Sequence, residues 1–177
     1  MTRLHNEHTT QPVRDVRPGT AGIEGGDLHT ETWSMRDALR FFSDLPVAEP
    51  VELIGRWNGE FIGRPALVRM AHAMTVPTYG WCGKEITEAE NLRNLVRRHG
   101  AVKPSVAAKM SAGLSRFDGR PVVTVNYAET APFPVSRGRA EMRSLSPDTE
   151  VLGLLIILTV GQHYLGPFPY RLRRSQR

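Results

Sequence analysis

The chain has 177 residues, 40% of them hydrophobic, which suits one domain around one continuous core. Its formal net charge is +5, carried almost wholly by arginine, since Lys84, Lys103 and Lys109 are the only lysines. The single cysteine, Cys82, excludes an internal disulfide, and the scattered charge weighs toward a solvated basic surface over a nucleic-acid interface.

Taken in chain order, residues 1–31 read as a disordered arm. They are rich in Thr, Gly, Pro, His and charge, and carry few large apolar side chains to offset the entropy of ordering. The arm has no apolar stretch of the secretory kind, which predicts a cytoplasmic protein. A single domain is expected over 32–177. Ser34 suits the N-cap of a helix running to Leu45, with Met35, Ala38, Leu39 and Phe42 as its buried stripe. Pro46 ends that helix, and Pro50 to Ile54 predicts one more short turn.

Gly55 to Ile62 alternates as a strand, and Arg64 to Met74 has helical spacing in Leu67, Met70 and Ala71. Thr78 to Ile86 predicts a second strand, Leu92 to Arg98 a third, and Ser105 to Ser111 a short helix. Pro121 to Glu129 sets Val123, Val125 and Tyr127 on one face and Val122, Thr124 and Asn126 on the other. Val135 to Leu145 is a polar, Arg-rich strand, followed by turn chemistry in Ser146-Pro147-Asp148-Thr149. Glu150 to Val160 is the most apolar strand, about half the length a membrane-spanning helix needs and without the polar face of an interfacial element. Tyr164 to Arg174 is the last strand. Five to seven strands joined by short turns predict a mainly β (α+β) fold: a strongly curved antiparallel sheet or barrel, capped by the first helix and carrying short inserted helices.

Three blocks carry a family resemblance. Gly55-Arg56-Trp57-Asn58-Gly59 reads as G-x-W-x-G and follows the helix segment Ala38-Leu39-Arg40-Phe41-Phe42-Ser43-Asp44-Leu45. Trp81-Cys82-Gly83-Lys84 matches a W-x-G-K strand, and Asp148-Thr149-Glu150-Val151-Leu152-Gly153 a late turn and strand. Together they resemble the GXWXG-motif family with its adjoining domain of unknown function, over about Ala38 to Arg174. The resemblance implies a lipocalin-like barrel and no settled activity. It also implies departures. Ala128 follows Tyr127 where members carry an aspartate, Phe133-Pro134-Val135 stands where another acidic residue falls, and Ile156 to Thr159 replaces a polar segment. These point to a branch with a more apolar cavity.

Several side chains bear on chemistry. Trp57 and Trp81 read as pocket lining or as core plugs, and Tyr79 beside Trp81 favours the lining role. Lys84, in a strand rich in Gly and aromatics, suits an anionic head group or a cation–π contact, against a snorkelling surface role. Glu60 and Glu85 each follow a motif and are candidate pocket carboxylates for acid–base work, against ordinary ion pairs with Arg56 or Arg64. Tyr127 is a candidate hydrogen-bond donor, and His163 a candidate ligand contact in the last turn. The six histidines lack metal-ligand spacing, so no metal is expected, and no nucleotide or cofactor fingerprint is present.

Two functions compete. The first is a cofactor-independent enzyme of isomerase or cyclase type, acting on a hydrophobic small molecule such as a polyketide or terpenoid. Its catalytic residues would be Tyr127, Glu60, Glu85 and Lys84, with Trp57, Trp81, Tyr79 and His163 lining the pocket. The second is a non-catalytic carrier of lipid or isoprenoid ligands. A third, nucleic-acid binding by Arg137, Arg139 and Arg143 together with the basic tail, carries less weight. No membrane partner is expected, and a homodimer is compatible with the sequence.

Overall fold

The structure, a computed structural model, describes residues 30–75, 80–127, 131–158 and 164–176. Eight antiparallel strands close into one barrel in chain order: β1 (Gly55–Phe61), β2 (Trp81–Glu88), β3 (Asn91–Arg98), β4 (Ala101–Leu114), β5 (Pro121–Asn126), β6 (Gly138–Ser146), β7 (Glu150–Leu158) and β8 (Tyr164–Arg174). β8 returns to pair with β1, from Trp57 opposite Arg174 to Phe61 opposite Tyr170, so no strand edge is left open. The mainly β, lipocalin-like barrel expected from the sequence is the observed fold, with eight strands instead of five to seven. Two helices accompany it, α1 (Met35–Asp44) and α2 (Pro65–Met74). Neither is long and apolar enough to cross a membrane.

The first helix starts as its sequence dictates. The Ser34 side chain accepts from the Asp37 backbone N–H, and the Asp37 carboxylate accepts from the Ser34 backbone, a reciprocal capping box. Two further turns depart from expectation. Thr30–Thr32 already forms a short 3-10 turn, so residues 30–32 do not belong to an arm, while residues 1–29 of that arm lie outside the described ones. Ser105 to Ser111 is not a helix but the middle of β4, because β3 pairs with Ala107 to Lys109 and β5 with Lys109 to Ser111, and pairing overrides local propensity.

Alternation along the strands sorts side chains into two cores. One fills the barrel: Trp57, Ile86, Leu92, Met110, Val123, Val125, Tyr127, Met142, Leu155, Phe168, Tyr170 and Leu172 are all buried there. Eight strands enclose a space just wide enough for such side chains. The other core lies on the outside of the wall, where Ala38, Phe42 and Leu45 cover Val122, Leu152 and Leu154. β7 is therefore buried on both faces, as its uninterrupted apolar run predicts. Met35 is 40% exposed, so the buried stripe of α1 is narrower than its spacing suggests. The first helix covers the wall, and the stretch after it, through Ala48 and Leu53, closes the end of the barrel. At the opposite end α2 turns Leu67 and Ala71 into the interior core, while Met70 stays exposed.

Arg143 links the wall to α1. It is 1% exposed, donates to both carboxylate oxygens of Asp118 (2.7 and 2.8 Å) and to the Phe42 carbonyl (2.9 Å), and stacks on the Phe42 ring. Those hydrogen bonds hold the Asp118 carboxyl well below the usual carboxylate range. Buried in this way, Arg143 is not available to the nucleic-acid contact considered for the Arg-rich strand.

Candidate functional site

The two tryptophans of the sequence motifs do different jobs. Trp57 sits at the closed end, where its indole N–H donates to the Leu53 carbonyl (2.8 Å) and the Arg174 guanidinium lies over its ring. With its only donor spent and its face covered, Trp57 is a plug, outside the lining of the cavity at Trp81. The expectation that it contacts ligand is corrected. Trp81 lies toward the α2 end. Gly59 of β1 makes room for it, since a Cβ there would stand 2.7 Å from the edge of the Trp81 ring.

Between Trp81 and α2 lies a cavity of about 20 Å³, space for roughly one water molecule. Phe61, Thr75, Trp81, Lys84, Asn94, Tyr127, Val135, Leu155 and Tyr170 line it. Strict alternation would put Trp81 and Lys84, three residues apart, on opposite faces. A β-bulge prevents this. Trp81 pairs with Val96 and Gly83 with Leu95, so Cys82 is an extra residue without a counterpart and both side chains turn inward. Gly83 makes the bulge possible. Its φ of +151° is unfavourable for other residues, and a Cβ there would stand 1.9 Å from the Trp57 carbonyl oxygen.

Lys84 is 2% exposed. Its ammonium donates to Asn94 Oδ1 (2.9 Å), on the paired residue of β3, and to the Tyr127 hydroxyl (2.6 Å) at the end of β5. The rings of Trp81, Tyr127 and Tyr170 surround it, with centroids 5.3 to 5.8 Å from Nζ. Such contacts are worth about 2 kcal/mol when desolvated. Among the described residues no carboxylate pairs with it. Tyr170 comes from β8, opposite Gly153 of β7, where the missing side chain leaves space for the phenol. Its hydroxyl is buried and has no hydrogen-bond partner among the described residues. Burial, reinforced by the neighbouring Tyr127, raises its pKa well above the ordinary value.

The residues proposed from sequence thus divide. Lys84, Tyr127 and Trp81 meet at the cavity. Glu60 lies on the outer face and accepts from Arg171 at 2.7 Å, because an odd separation from inward Trp57 turns it to solvent. Glu85 is likewise turned outward next to Lys84, in register with Arg56 and Arg93. Neither is a pocket carboxylate, and the partners considered for Glu60, Arg56 and Arg64, are not the ones it has. Tyr79 and His163 lie outside the described residues. Asn94, Tyr170, Phe61 and Thr75 were not singled out beforehand. For Tyr170 the signal is present, since Phe168, Tyr170 and Leu172 alternate with Pro169, Arg171 and Arg173 and so share the inward face. Among the described residues no three His, Cys, Asp or Glu side chains gather as a metal site would need.

Comparison with known proteins adds the fold and no more. No protein-family model matches the chain, and no curated protein matches it in sequence. A crystal structure of a protein from Thermomonospora curvata is similar, with a TM-score of 0.58 and 16% sequence identity over 82% of this chain and 90% of that one.

Proposed function

We propose that the barrel is a cofactor-independent enzyme of isomerase type, which takes a small, largely apolar molecule at the α2 end and moves a proton on it. The observation that carries this reading is the buried Lys84–Tyr127 contact of 2.6 Å at the edge of an apolar cavity. A phenol in hydrogen-bond contact with a substrate can give and regain a proton, and general acid–base catalysis of this kind contributes about 10²–10⁴ in rate. While the proton is on the substrate, the phenolate oxygen of Tyr127 faces the Lys84 ammonium, with little water near to weaken that attraction. Phe61, Trp81, Val135 and Leu155 would hold the apolar body against those two groups. The size of the cavity favours a substrate smaller than a polyketide or terpenoid. Any organic substrate needs Phe61, Trp81 or α2 to give way, since the space holds about one water, and larger bodies need more of it.

Solvent exchange tests this directly. Purified protein in D2O, incubated with a panel of small enolisable ketones and β,γ-unsaturated acids, should place deuterium at the carbon beside the carbonyl of at least one of them. Tyr127→Phe should slow that exchange by at least 10²-fold. Exchange that never exceeds the buffer rate, or that Tyr127→Phe leaves intact, refutes the reading. One observation favours a second reading, a non-catalytic carrier: the cavity lining contains no carboxylate, since Glu60 and Glu85 face outward. Retention of an unchanged ligand through purification, without exchange, selects it.

A further inference from the structure

The cavity lining has more hydrogen-bond donors than acceptors to receive them. An ammonium carries three N–H groups. Lys84 gives two, to Asn94 and Tyr127, and the third has no acceptor among the described residues. The Tyr127 oxygen accepts from Lys84, which leaves its own O–H to donate elsewhere. The Tyr170 hydroxyl is a further donor, buried and without a partner among the described residues. Thr75, the remaining hydroxyl of the lining, gives its hydrogen to the Ala71 carbonyl at 2.8 Å. Phe61, Trp81, Val135 and Leu155 present carbon surface. Burial raises the pKa of the Tyr170 hydroxyl, which favours its protonated, donating form.

A guest suited to this lining brings lone pairs and no hydrogens. An alcohol or amine adds donors to donors, and an amide adds one acceptor with two more N–H groups. A carboxylate offers acceptor positions only, and its charge opposes that of Lys84. A phosphate brings two negative charges to a lining with one cation, where a monocarboxylate brings one. We infer that the ligand is a small monocarboxylate with a short apolar body, and that Tyr170 determines this specificity by donating to the carboxylate that Lys84 and Tyr127 also hold. This rests on the reading of the cavity as a small-molecule site and is independent of whether a proton is moved there.

Trp81 lines the cavity and serves as the reporter. Titration of the full chain with butyrate and benzoate, followed by tryptophan fluorescence and calorimetry, should saturate. 1-Butanol, butyramide and benzyl alcohol should bind at least tenfold more weakly. Tyr170→Phe removes one oxygen and keeps the ring, so the fold should survive, with acid binding weakened about tenfold and the preference over the alcohols reduced. Lys84→Met should abolish acid binding. Equal affinity for acids and alcohols, no saturation by any acid, or unchanged acid binding in Tyr170→Phe overturns the inference. The two proposals fail separately. Saturable acid binding without deuterium exchange keeps carboxylate recognition and removes proton transfer. Exchange on neutral ketones with no acid bound does the reverse.

Discussion

Lys84 and Arg143 are both cations, both at most 2% exposed, and they sit on opposite faces of the same wall. Arg143 is enclosed on the outside under α1, with a bidentate carboxylate and backbone carbonyls around its guanidinium. Lys84 is enclosed on the inside with two neutral oxygens and three aromatic faces. Burying a charge is costly unless it is paired and hydrogen-bonded. The wall meets that cost in full for Arg143 and only in part for Lys84. A fully satisfied cation fixes structure, and one with a donor to spare can receive a guest.

The comparison breaks most visibly at Asp118. Asp118→Ala leaves Arg143 buried without its carboxylate and should cost about 3–5 kcal/mol in urea unfolding, with acid binding in the interior unchanged. Next in size is Gly153→Ala, whose added carbon would stand 2.0 Å from the Tyr170 ring. Overpacking of this kind costs about 1–3 kcal/mol, and here it should also displace the phenol and weaken acid binding. Lys84→Met should change unfolding free energy by no more than about 1 kcal/mol. Loss of an uncompensated charge offsets loss of the donor to Asn94, which is worth about 1–3 kcal/mol. Thermal melts would show a stable protein without ligand binding, the inverse of Asp118→Ala.

The smallest effect is in acid. Because the folded state depresses the Asp118 carboxyl, its contribution is complete above the ordinary carboxylate pKa of about 4 and declines as pH falls below that. Melting temperatures between pH 5 and 2.5 should therefore fall more steeply in the wild type than in Asp118→Asn. Parallel slopes would show that the pair contributes nothing.

Much of this was legible in the sequence. Tyr164–Arg174 forms the strand its alternation predicts, Ser34 caps the helix it precedes, and the faces of β5 fall as read. Other parts depend on partners that one segment cannot reveal. Val106-Ala107-Ala108-Lys109-Met110 has a helical composition, and it extends only because β3 and β5 pair with it. At the site, Lys84 and Tyr127 are readable from their surroundings, and their contact at 2.6 Å is not, because it joins β2 to the end of β5, three strands along the wall. The outward turn of Glu60 could have been counted from Trp57. The shared inward turn of Trp81 and Lys84 could not, since the bulge between them suspends the count.

That bulge makes the site sensitive to chain length in a way that no substitution imitates. Excising Cys82 would leave Trp81 and Lys84 two positions apart, where strict pleating keeps both turned inward. A single-codon insertion beside it, with no second bulge to absorb the residue, would instead turn either the indole or the ammonium to the outer face while every contacting residue remains encoded.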